Sequence, residues 1–183
     1  MTSTVDNRSI LLVVSAENCG ACKVYSGENP EKKNVFELVR KQVEADGLAR
    51  YEHIKVKTIG APIDAKYPAA INKWIRFYPT FILVNGKDWN NKMEGIDEKN
   101  PNIEVFNARI VDGVVVTQGG SMQSPDKIPE WVKNNVENSA KFKMNIISKS
   151  PTLTLRDAAE SKEEPIRLIP TCGTAKILAA SRR

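Results

Sequence analysis

The chain has 183 residues, 41% of them hydrophobic, with 27 basic and 22 acidic side chains and a formal net charge of +5. That composition supplies one ordinary core and an appendage, and no apolar stretch approaches the roughly 20 residues that span a bilayer. Residues 1–139 hold 18 basic and 18 acidic groups while residues 140–183 hold 9 and 4, so the tail carries the whole excess and the charge of the core does not suit it to nucleic acid.

Taken in chain order, Ile10-Leu11-Leu12-Val13-Val14 is an unbroken apolar run, and a short buried strand is expected over residues 9–15. The run is too short for the apolar region of a secretory signal, and Arg8 is its only nearby positive charge. A cytoplasmic protein is therefore expected, its cysteines held mostly as thiols.

Cys19-Gly20-Ala21-Cys22 follows, between that strand and a segment able to become helical. At such a junction the positive end of a helix dipole stabilises a thiolate, the species that attacks disulfides. A second thiol nearby resolves the mixed disulfide. In a reducing compartment the pair reads as redox or metal chemistry rather than as a staple. No metal is expected, because zinc would need Cys19, Cys22, His53 and Cys172 to converge from three distant segments.

Ser26-Gly27-Glu28-Asn29-Pro30 interrupts the first helix, and a fresh one is expected with Asn29 as cap and Pro30 in its first turn. Val35, Leu38, Val39 and Val43 make its apolar stripe, and Gly47 ends it. Residues 51–57 alternate as a half-buried strand with Ile54 and Val56 on one face. His53, the single histidine, falls on the polar face beside Tyr51 and Lys55 and reads as a solvated strand residue rather than a ligand or base. Residues 58–68 are loop, and residues 69–77 a helix carrying Ile71, Trp74 and Ile75. Trp74, Trp89 and Trp131 read as packing residues.

Phe81 to Val84 is the next strand, closed by the turn signal Asn85-Gly86, and residues 87–102 read as a polar inserted loop. Residues 103–111 and 114–117 flank Asp112-Gly113 as a hairpin. Ser124-Pro125-Asp126 starts a last helix whose buried face is Ile128, Trp131, Val132 and Val136.

The stretch Ala16-Glu17-Asn18-Cys19-Gly20-Ala21-Cys22-Lys23, together with Tyr78-Pro79-Thr80 directly before a strand, resembles the thioredoxin superfamily from Arg8 to Asn138. The element order is similar to the minimal, glutaredoxin-like form of that α/β fold: a central mixed sheet flanked by helices, here with a C-terminal extension. The resemblance implies a protein thiol–disulfide oxidoreductase with no cofactor, Cys19 as nucleophile and Cys22 as resolving thiol. It also implies a cis Tyr78-Pro79 bond, with Tyr78, Pro79 and Thr80 shaping a groove for protein thiol or disulfide substrates. Gly119-Gly120 stands where glutaredoxins bind glutathione, so the resemblance implies substrate binding there, while the residues by themselves read more readily as a loop needing free dihedrals. Three positions depart from the family: Asn18 replaces its Trp, Ala21 its Pro, and Val13 a buried Asp that shuttles protons.

Residues 1–139 are thus expected as one thioredoxin-like domain that closes with the helix carrying Trp131 and Val136. Residues 140–183 are expected as a basic arm, dispensable for folding, that docks on a partner surface; Cys172 within it reads as an incidental tail thiol. A second functional class follows from the departures and the arm. In it the same fold serves as an assembly component, for example a minor structural protein of a large DNA virus particle, located in the virion.

Overall fold

The computed structural model describes residues 5–28, 33–118 and 123–142. It is a mixed α/β structure built on a four-stranded sheet. Strand β1 (Ser9–Ala16) is buried at all eight positions, as an apolar run without alternation requires when both faces are covered. It pairs in parallel with β2 (Ala49–Val56) and antiparallel with β3 (Thr80–Val84). Strand β4 (Ile103–Val105) pairs antiparallel with β3, giving the order β2-β1-β3-β4.

Helix α1 (Gly20–Ser26) follows β1 directly, and α2 (Val35–Asp46) provides the crossover to β2. The expected cap Asn29 and Pro30 lie outside the described residues. The observed cap is Asn34, whose Oδ1 accepts the Glu37 N–H at 3.0 Å. Val39 and Val43 of the expected stripe are buried and Val35 packs half-buried beside them, but Leu38 is 50% exposed and Phe36 takes its place in the core. Phe36 rotates the helix because its ring has partners: Phe81 and Tyr25 stack within about 6 Å of it.

Residues 69–77, expected as a helix, yield one 3-10 helix over Ala69–Trp74. Ile71 and Trp74 are buried as expected, and Ile75 is already extended. Pro68 and Pro79 punctuate the segment on either side, and a residue before proline avoids helical backbone.

Asn85-Gly86 is a helix start rather than a plain turn. Asn85 Oδ1 accepts the N–H groups of Lys87 and Asp88 and opens α3 (Gly86–Asn90), inside the stretch expected as loop. Glycine is required there by proximity, since a Cβ would overlap the backbone of Asn7 and Arg8.

The expected long hairpin arm over residues 103–111 is broken in two. Phe106 and Asn107 separate β4 from β5 (Ala108–Val111), with Asn107 in left-handed backbone at φ 59°. Strand β5 then forms a separate two-stranded sheet with β6 (Val114–Thr117). Asp112 and Gly113, at φ 48° and 77°, form the two-residue primed turn that the sequence signals. Pro125–Lys127 is a 3-10 turn leading into α4 (Ile128–Asn138), which buries Ile128 and Val132.

Two apolar layers sandwich the sheet. On one side Ile10, Leu12, Val14, Ile54, Ile82 and Val84 meet Ile71 and Trp74. On the other, Leu11, Val13, Phe81 and Leu83 meet the faces of α2 and α4. Packing continues past the boundary expected after residue 139: Phe142 is 0% exposed in this second layer. The Asn85 Nδ2 group donates to the Lys141 carbonyl at 2.7 Å, and Lys141 pairs with Glu104 at 2.8 Å. The remainder of the expected arm, Cys172 included, lies outside the described residues. Among the described residues no helix is long and apolar enough to cross a membrane.

Candidate functional site

Strand β1 delivers the chain to Cys19 through a short turn. The Glu17 N–H donates to the Val56 carbonyl of β2 at 3.0 Å, and the Cys19 N–H donates to the Ala16 carbonyl at 3.2 Å. Cys19 is the N-cap of α1, in extended backbone, and its Sγ accepts the Cys22 N–H at 3.1 Å. The cap position is usually held by an oxygen; here a sulfur takes one of the free N–H groups of the first helical turn. Cys19 and Cys22 form a disulfide with their Cα atoms 5.2 Å apart.

Of the other predicted site residues, Tyr78 is brought to this pair. The Cys19 sulfur lies 3.6 Å from the Tyr78 carbonyl oxygen, and the Tyr78-Pro79 bond is cis. Thr80, fully buried, donates its hydroxyl to the Phe77 carbonyl and so ties the turn ahead of β3 to its own backbone. Gly119 and Gly120 lie outside the described residues.

The site is nearly closed. Each cysteine is 4% exposed, with both packed into the layer that contains Ile71 and Trp74. Asn18, exposed beside Cys19, accepts the Ile59 N–H at 2.9 Å and so holds the loop after β2 against the disulfide. Next to Tyr78 a cavity of about 310 Å³ opens between Gly60, Pro62, Asn72 and Ile75.

Sequence reasoning did not find the polar pair on the opposite side of the cysteines. Ser15, 2% exposed near the end of β1, places its Oγ 2.8 Å from His53 Nε2 on β2. His53 remains an exposed residue overall, as expected, but its ring packs on Phe36 with centroids 4.8 Å apart. This partial burial lowers its pKa below the ordinary histidine value; Lys55 lowers it further, and Glu52 opposes both. The signal in the sequence was a serine directly after the apolar run of β1, on the same face as Val13, whose partner in register is His53.

No family model, curated protein or solved structure matches the chain.

Proposed function

We propose that this chain is a thiol–disulfide oxidoreductase with a thioredoxin-like fold, acting on protein disulfides through Cys19 and Cys22. The observation that supports it most is the disulfide at the cap of α1, with a backbone N–H aimed at Cys19 Sγ and the Tyr78 carbonyl alongside. A donor on a sulfur favours its thiolate, so in the reduced protein the same contact lowers the cost of ionising Cys19.

The reaction runs in two exchanges. The Cys19 thiolate attacks one sulfur of a substrate disulfide, forming a mixed disulfide and expelling the other substrate sulfur as a thiolate, which takes up a proton. Cys22 then gives up its proton and attacks Cys19 Sγ, expelling the second substrate thiolate and leaving the Cys19–Cys22 disulfide. The substrate gains two electrons and the dithiol loses them. Backbone beside Pro79 offers an extended substrate segment main-chain hydrogen bonds, a mode with little side-chain selectivity. The residues after Phe142, which hold 8 basic and 4 acidic groups, serve in this reading as a docking arm for an acidic partner surface.

A second reading takes the 4% exposure of both cysteines as its observation. Here the disulfide is structural and the domain is an assembly component placed by its arm, for example in a virus particle. Turnover separates the two. The purified protein, supplied with dithiothreitol, should reduce a protein disulfide faster than dithiothreitol alone, and Cys19→Ser and Cys22→Ser should each remove the acceleration. Equal rates with and without the protein would favour the structural reading.

A further inference from the structure

We infer that His53, acting through Ser15, is the proton acceptor and donor for Cys22 in the second exchange; the inference rests on the oxidoreductase reading above. A cavity of about 70 Å³ is lined by Cys22, Ser15, His53, Lys55, Phe36 and Lys23. It is roomy enough for ordered water, and hydroxyl, imidazole and ammonium groups supply that water with partners.

The chemistry requires such a group. Cys22 is 4% exposed, so a thiolate formed on it during exchange is shielded from bulk water. A proton must leave the Cys22 thiol before it attacks Cys19, and must return when an incoming thiolate opens the disulfide. Ser15 is the hinge of the route, because a hydroxyl donates one proton while accepting another. With neutral His53, the Ser15 hydroxyl donates to Nε2 and its oxygen accepts from water beside Cys22. Transfer along this line converts thiol and imidazole into thiolate and imidazolium. The reverse exchange runs it backwards, so protons balance in both directions.

Val13, the register partner of His53, cannot titrate, and among the described residues His53 is the one imidazole. The charged groups around it are mixed in sign. Lys55 and Glu52 stand on its own strand with the Tyr51 phenol, and α2 presents the uncharged Phe36. Lys23 on α1, Glu28 beyond it and Glu17 before it line the cavity. Lys55 favours a neutral imidazole at rest, ready to accept, and Glu52 steadies the imidazolium once formed.

The test follows the two exchanges separately, in full-length protein carrying Cys172→Ser so that no third thiol contributes. Reduced protein is mixed with an aromatic disulfide whose thiolate absorbs light, so that attack by Cys19 releases one chromophore and resolution by Cys22 the second. In the parent protein the second phase should show a pH inflection from an imidazole titrating below its ordinary value. His53→Gln should leave the first phase intact, slow the second about tenfold at pH 7 and remove the inflection, a modest share of what general acid–base groups provide. Ser15→Ala, the smaller change, should slow the second phase in the same direction. Second phases unchanged in rate and pH profile in both variants would overturn the role of His53 while leaving the oxidoreductase intact. Absence of a second phase in the parent protein would overturn both.

Discussion

His53 sits at a boundary between solvent and core, which gives it a measurable effect on stability as well as on chemistry. Its pKa in the folded protein lies below the value in the unfolded chain, chiefly through burial. Between those two values the unfolded state binds the proton and the folded state does not, so stability rises with pH across the window. The contribution is complete above the ordinary histidine pKa of about 6.5 and is lost as pH falls through the lower, folded value. Melting temperature of the wild-type protein should therefore fall on acidification from pH 7 toward pH 5, and His53→Gln should flatten that part of the curve. A parallel pair of curves would show that the imidazole is as free in the fold as in the unfolded chain. The cysteine pair was legible as a unit because two thiols three positions apart after a buried strand stand out in the sequence. The Ser15–His53 contact was not, because it depends on which residues of two parallel strands stand side by side, and register is a property of the sheet.

At the scale of elements, local signals placed strands and helix ends, while packing decided which faces turned inward. In α2 the buried face keeps Val39 and Val43 of the stripe expected from periodicity, and the aromatic cluster around Phe36 put that ring inward in place of Leu38. Phe36→Ala should cost about 3–5 kcal/mol in chemical denaturation, whereas Leu38→Lys, at a half-exposed position, should stay within about 0.5 kcal/mol. Equal costs would mean that Leu38 is as buried as Phe36. Asn85-Gly86 shows the same limit from another side. The dipeptide announced a change of direction, but capping α3 and passing close beneath Asn7 and Arg8 are tertiary facts. Gly86→Ala should destabilise by about 1–3 kcal/mol, the usual range for overfilling a packed site. A neutral effect would show that the N-terminal segment moves aside without cost. Asp112-Gly113 needed no such context, since two successive positive φ angles are a local demand that the sequence meets directly.

For the molecule as a whole, the succession of the main strands and helices was legible in the sequence apart from α3 and the break between β4 and β5, and the end of the packed unit was not. Helix α4 looked like a closing element because its apolar face was complete, yet Phe142 lies in the same layer after a short turn. A single aromatic among lysines gives no periodic signal, so only its place in the layer that also holds Leu11 and Ile128 assigns it to the core. A chain ending after Asn138 should melt well below full length, and Phe142→Ala should cost about 3–5 kcal/mol. A chain ending after residue 145 should retain what the shorter one loses. Equal stability of the two truncated chains would place Phe142 outside the cooperative core.

The central claim is that Cys19 exchanges disulfides and Cys22 resolves them, and covalent trapping tests it most directly. Full-length protein carrying Cys22→Ser and Cys172→Ser would be reduced, mixed with a disulfide-bonded protein, and analysed by mass spectrometry of its peptides. The account predicts a mixed disulfide on Cys19, released by dithiothreitol and absent when Cys22 is restored. No adduct on Cys19 in the folded protein, together with ordinary alkylation of the same thiol after denaturation, would contradict it and make the pair a structural disulfide.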